Sequence, residues 1–140
     1  MNLMKKAIRA AIFVLAVCLM AVSCTKTASN TFALLGNWEL VRTDVTYGGH
    51  TETLTLERAV FVEFHSGDEY VWTEESFSGS TTQRGRWYVE DDMVTLTQTN
   101  GGYRVFRIEE TGLTRLVLSE TVTEDGVTKV YRDTYRSFVK

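Results

Sequence analysis

The sequence predicts an all-β domain, eight short antiparallel strands in chain order that close as an up-and-down barrel. Three observations lead there. Apolar residues recur with period two from Leu35 onward, turn residues interrupt them at short and regular intervals, and the 140 residues contain no proline to bar a central strand. Period two puts alternate side chains on one face of a sheet, which is the pattern of a strand with one face buried. A β-sandwich is the rival arrangement. Closure is preferred because a barrel leaves no unpaired edge.

The elements follow in order. Trp38 and Leu40 flank Glu39 in the first strand. Val60, Val62 and Phe64 alternate with Phe61, Glu63 and His65 in the second, and Tyr70 and Trp72 with Val71 and Thr73 in the third. Trp87 and Val89, Val94 and Leu96, Phe106 and Ile108, and Leu116 and Leu118 mark the next four. A polar and aromatic run, KVYRDTYRSFV from Lys129 to Val139, is the last. Between them lie Ser66-Gly67-Asp68, Ser78-Gly79-Ser80, Glu90-Asp91-Asp92, Asn100-Gly101-Gly102, Thr111-Gly112 and Asp125-Gly126, all with hairpin chemistry. Tyr47-Gly48-Gly49-His50 separates the first two strands, and residues 53–59, TLTLERA, read either as a helical turn or as the start of the second.

The N-terminus reads as an address. Lys5, Lys6 and Arg9 precede an apolar run from Ala10 to Val22, too short for a membrane span and of the right length for a secretory signal. The run ends in Ala21-Val22-Ser23-Cys24 before a polar TKTASNT. Small residues before a cysteine here resemble the lipobox of bacterial lipoproteins, although Ala21 stands where that motif usually has Leu. The resemblance implies residues 1–23 as signal peptide, cleavage before Cys24, and acylation of Cys24. Residues 24–33 are then a lipidated N-terminus and flexible tether, and 34–140 the barrel domain. Several acyl chains on one residue suffice for a stable anchor.

Composition limits the partners. Cys18 leaves with the signal, so the mature chain holds one thiol and forms no internal disulfide. It carries 12 basic against 18 acidic side chains, a net charge of −6, which disfavours nucleic acid and gives no electrostatic help toward anionic lipid. The mature length suits one small domain, read as a monomer.

The stretch Gly36-Asn37-Trp38 resembles the G-x-W signature at the first strand of lipocalin-like proteins. Further blocks extend the likeness to small lipocalin-like lipoproteins of Bacteroidetes-type bacteria: Phe64-His65-Ser66-Gly67-Asp68-Glu69-Tyr70, and Gly85-Arg86-Trp87-Tyr88 followed by an acidic turn and Val94-Thr95-Leu96. The resemblance implies a calycin-type barrel whose closed end is plugged by Trp38. It also implies an arginine of the last strand lying across that ring, for which Arg136 is the best placed. It implies non-catalytic binding of a small hydrophobic molecule inside the barrel, with Tyr70, Trp72, Tyr103 and Phe106 as the expected lining. An eight-stranded barrel filled by its own side chains is the alternative.

Motifs for chemistry are sparse. There is no nucleophile elbow and no phosphate loop, and His50 and His65 stand 15 residues apart, without zinc spacing. Glu74 and Glu75 are consecutive on a strand and point to opposite faces. No catalytic residue, metal site or cofactor is expected. Ser66-Gly67-Asp68-Glu69-Tyr70 matches S-G-x-x-Y, which resembles the loop of membrane-bound lysozyme inhibitors and implies Ser66 and Tyr70 at an exposed tip. An accessory lipoprotein acting through partner contacts is the third reading. The expected location is the outer membrane, facing the periplasm.

Overall fold

A computed structural model describes residues 25–140. Cys24 and the signal segment lie outside the described residues. Nine antiparallel strands follow in order: β1 (Gly36–Tyr47), β2 (His50–Thr53), β3 (Ala59–Phe64), β4 (Glu69–Ser76), β5 (Gly79–Glu90), β6 (Met93–Gln98), β7 (Tyr103–Thr111), β8 (Arg115–Glu124) and β9 (Val127–Ser137). From β3 to β9 each strand pairs with the next, β1 pairs with β2 and β3, and β1–β9 pairing closes the sheet. The result is an eight-stranded up-and-down barrel, as the periodicity predicted, with β2 an added four-residue flap. Gly48 and Gly49, both at positive φ, turn β1 tightly into β2. Residues 54–58 then run without regular structure to β3, so TLTLERA forms neither a helical turn nor a full strand start.

β1 changes phase partway. A register shift between Leu40 and Arg42 marks a bulge at Val41 against β9. Trp38 and Leu40 face the interior before it, Thr43 and Val45 are the buried residues after it. One end of the barrel gathers the start of β1, the turns at 65–68, 91–92 and 112–114, and the end of β9. The other gathers the turns at 48–49, 77–78, 99–102 and 125–126.

The first end is closed by packing. Trp38, Phe64, Trp87, Val94, Leu116 and Leu34 belong to one buried cluster. Trp87 meets Phe64 edge-on at 5.0 Å and donates to the His65 carbonyl at 3.2 Å. A helix over residues 25–34 forms where the sequence suggested a flexible tether. It crosses from β1 to the β5–β6 turn on the opposite wall. There Lys26 lies 3.6 Å from the Asp91 carboxylate, the Thr27 hydroxyl accepts from the Asp91 amide at 2.8 Å, and Asn30 donates to the Asp91 carbonyl at 2.8 Å. Leu34, wholly buried, ends the helix as a plug, and its carbonyl accepts from the Trp38 indole at 2.8 Å. Gly36, at φ 130°, lets the chain turn from this cap into β1, a conformation costly for any residue with a Cβ.

Candidate binding site at the barrel mouth

Strand alternation decides what reaches the interior at the open end. β4 sends in Tyr70, Trp72 and Glu74. β7 sends in Arg104, Phe106 and Ile108. β8 supplies Leu116, Leu118 and Glu120, and β9 supplies Asp133 and Tyr135. The deeper members of each set are apolar and the members nearest the mouth are charged.

Arg104 is the centre of the mouth. It makes a two-pronged pair with Glu120, Nε to Oε2 at 3.0 Å and Nη2 to Oε1 at 2.9 Å. Its guanidinium carbon lies 5.1 Å from the Trp72 ring centre and 4.8 Å from that of Phe106, and those two rings lie nearly parallel, 6.4 Å apart. Burial works against the charge on Arg104, but the Glu120 carboxylate outweighs it and holds the guanidinium protonated. Beside it, Asp133 accepts from the Thr43 hydroxyl at 2.7 Å. Burial raises the Asp133 carboxyl above its ordinary value, against the pull of Thr43 and Arg104. Below them the Tyr135 hydroxyl is fully buried and makes no hydrogen bond to any described residue, and its burial raises its pKa well above the ordinary tyrosine value. On the other wall Glu74 accepts from the Trp72 indole at 3.1 Å and from Arg58 at 2.7 Å.

Three clefts border Glu74: one of about 480 Å³ lies outside the mouth between Arg58 and the β4–β5 turn, and two open at the mouth itself. One of about 350 Å³ is bounded by Trp72, Glu74, Thr81, Thr82, Gln83 and Arg104. The other, about 460 Å³, lies under the 54–58 segment between Leu40, Leu54, Leu56, Val60, Thr43 and Tyr131. Both fall in the size range of small-molecule sites. One is mostly polar and the other mostly apolar.

The expected lining residues separate. Trp72 borders the first cleft. Tyr70 (1 % exposed) and Phe106 (0 %) are inside the barrel but sealed beneath it. Tyr103 is 71 % exposed on the outer face, because it is one residue out of phase with the inward Arg104 and Phe106. Arg136 is likewise outside. It lies opposite Glu39 in the β1–β9 ladder and bonds that carboxylate at 2.9 Å, so Trp38 is capped by the Leu34 carbonyl instead of a guanidinium. The burial of Tyr70 also removes it from the Ser66–Tyr70 turn as a presented side chain, and with it the geometry a lysozyme-inhibitor loop requires. Arg104, Glu120, Asp133 and Thr43 were missed, although period two carries the signal: Phe106 inward requires Arg104 inward. Among the described residues, no group of three His, Cys, Asp or Glu side chains is placed to hold a metal ion.

A closed antiparallel barrel of eight strands, with a tryptophan-plugged base and an open mouth, defines the calycin type of architecture. The pattern of the lipocalin-like domain family matches residues 34–118, and the chain belongs to that family. Among solved structures, an uncharacterized protein from Bacteroides eggerthii aligns with a TM-score of 0.52 at 16 % identity, covering 75 % of this chain and 99 % of that one. Lobster apocrustacyanin A1 aligns at 0.55 and 14 % identity, covering 86 % and 69 %. Bovine odorant binding protein, in complex with a selenium-containing odorant, aligns at 0.50 and 14 %, covering 79 % and 73 %. These likenesses establish the shared fold. No curated protein is a significant match by sequence.

Proposed function

We propose that the chain is a lipid-anchored envelope protein whose barrel binds a small, largely hydrophobic molecule at its mouth, without chemical turnover. The observation that carries the binding reading is that two of the clefts bordering Glu74 open at the mouth, one walled by Leu40, Leu54, Leu56 and Val60, the other by Trp72, Gln83 and Arg104. The lower barrel is filled by its own side chains, so the ligand sits high and not in the deep interior. An entirely apolar ligand would cover Arg104, Glu120 and Glu74 without replacing their water, which is costly. The ligand therefore has an apolar body and a polar end. Membership of the lipocalin-like family, and the odorant carried by the bovine neighbour, support the class. The anchoring part rests on Ser23-Cys24 after the apolar run: cleavage before Cys24, acylation there, and residence in the outer membrane facing the periplasm.

The test is to purify the protein gently from its native envelope, extract it with organic solvent, and identify by mass spectrometry any molecule present near one-to-one. A discrete amphipathic molecule, lost from a Trp72→Ala variant that still folds, is expected. Repeated recovery of empty protein that binds no amphipathic probe in titration would refute the binding reading. Membrane partition that persists unchanged in Cys24→Ala would refute the anchoring reading.

A further inference from the structure

We propose that the closed end of the barrel is a lipid-docking face, so that the acylated protein lies base-down on its bilayer with the mouth directed away. The inference rests on the acylation of Cys24 argued above, and goes beyond it in assigning a surface and an orientation. Two observations carry it.

The first is how near Cys24 stands to the base. Thr27 is hydrogen-bonded to Asp91 at the rim of the base, and it is the third residue after Cys24. Even fully extended, three residues span about 11 Å. The helix over residues 25–34 leaves no long tether, so an acyl group on Cys24 would hold the base close to the headgroups. The second is what the base exposes. Phe32 on the helix is 79 % exposed and Leu113 in the β7–β8 turn is 97 % exposed. They border one groove of about 420 Å³ with Ala33, Leu35 and Trp38, mostly apolar. Large apolar side chains at the end from which the anchor leaves suit the headgroup–acyl boundary. Most basic side chains at this end face a carboxylate: Lys26 faces Asp91, Arg107 faces Asp92 at 3.3 Å, Arg115 faces Glu110 at 3.3 Å, Arg136 faces Glu39 at 2.9 Å and Lys140 faces Glu63 at 2.7 Å, while Arg86 donates to the Gly67 carbonyl at 3.1 Å. Docking is therefore mainly by apolar contact and depends little on salt.

The test uses the full, acylated protein in phosphatidylcholine vesicles. A single environment-sensitive fluorophore is attached at Leu113→Cys, or at Phe77→Cys in the β4–β5 turn at the opposite end, where Phe77 is even more exposed. With nitroxide lipid added, quenching at position 113 is expected to exceed that at 77 by at least twofold, to persist in high salt, and to fall when Phe32→Ser is added. Phe32 is exposed enough that this change leaves the fold intact. Vesicle-bound protein with no quenching at either position, or with more at 77, overturns the docking face while leaving the anchor standing. Concentration-dependent self-quenching at 113 without vesicles assigns the groove to a second copy and overturns it as well. Protein that fails to float with vesicles overturns the anchor, and the docking face with it.

Discussion

The ion pair at the mouth gives the sharpest test of how the interior is built. Arg104→Met removes a guanidinium that sits 2.9–3.0 Å from both Glu120 oxygens while keeping an unbranched side chain against Trp72 and Phe106. Two unit charges 4 Å apart interact by about 4 kcal/mol at an effective dielectric of 20. Side-chain exposure of 39 % for Arg104 and 18 % for Glu120 lets water screen the pair. Roughly halving the Coulomb figure leaves about 2 kcal/mol, below the 3–5 kcal/mol typical of a fully buried broken pair. The single variant leaves Glu120 and Asp133 facing each other with no cation between them. Arg104→Met with Glu120→Leu removes the strain of the orphaned carboxylate and is expected to cost under about 1 kcal/mol. Urea unfolding of the parent, both single variants and the double variant closes the cycle, with a coupling energy of about 1–2 kcal/mol expected. Singles that simply add, with no coupling, would refute the view that these groups form one unit at the mouth.

Three further outcomes follow from the same geometry. Gly85→Ala is expected to destabilise by about 1–3 kcal/mol or more in urea: a Cβ there runs into the Thr97 carbonyl and comes within 2.7 Å of the Tyr70 ring, its cross-strand neighbour. An unchanged midpoint would remove close approach as the reason for this glycine. Asp133→Asn keeps the acceptor for Thr43 and removes an ionisation that burial disfavours. Because the folded carboxyl binds its proton more tightly than the unfolded one, its share of stability is intact below about the ordinary value of 3.8 and falls as pH rises toward the raised folded value. The variant should be flatter than the parent over that window and no less stable above it, as followed by thermal unfolding against pH. Parallel curves would contradict the burial argument. Finally, Tyr103→Ala should stay within about 0.5 kcal/mol of the parent, while Phe106→Ala costs about 3–5 kcal/mol; comparable losses from the two would mean that β7 is turned the other way.

Much of the architecture was legible because each strand repeats one simple constraint. Val60, Val62 and Phe64, or Leu116 and Leu118, cannot be buried together except on one face, and the glycine and aspartate turns fix where the face ends. Less legible were features set by contacts distant in sequence. Thr27 and Asn30 form a helix cap because they meet the Asp91 turn, more than 60 residues away, and nothing in TKTASNT announces that partner. β2 is fixed by its ladder to Asp44–Tyr47 and not by any apolar pattern, since all four of its residues are exposed.

The charged tier of the mouth is legible only when phase is read ahead of aromatic character. Tyr103 and Arg104 are adjacent on β7 and so point to opposite faces, and Arg104 is the one that shares the Phe106 face. The same rule places Glu120 with Leu118, already in phase with the core, and Asp133 with Tyr135, whose burial the run from Lys129 to Val139 did not reveal. It also places Arg136 with Glu39 outside the barrel, where it cannot reach Trp38. A charged residue in phase with a core run is thus the informative case. Its burial has a desolvation cost, and the pairing of Arg104 with Glu120 and of Asp133 with Thr43 offsets part of it. Such a tier adds little to stability, since an apolar tier of equal volume would serve the fold as well. Its placement at the open end, beside two clefts, is what the proposed binding of a ligand with a polar end would use.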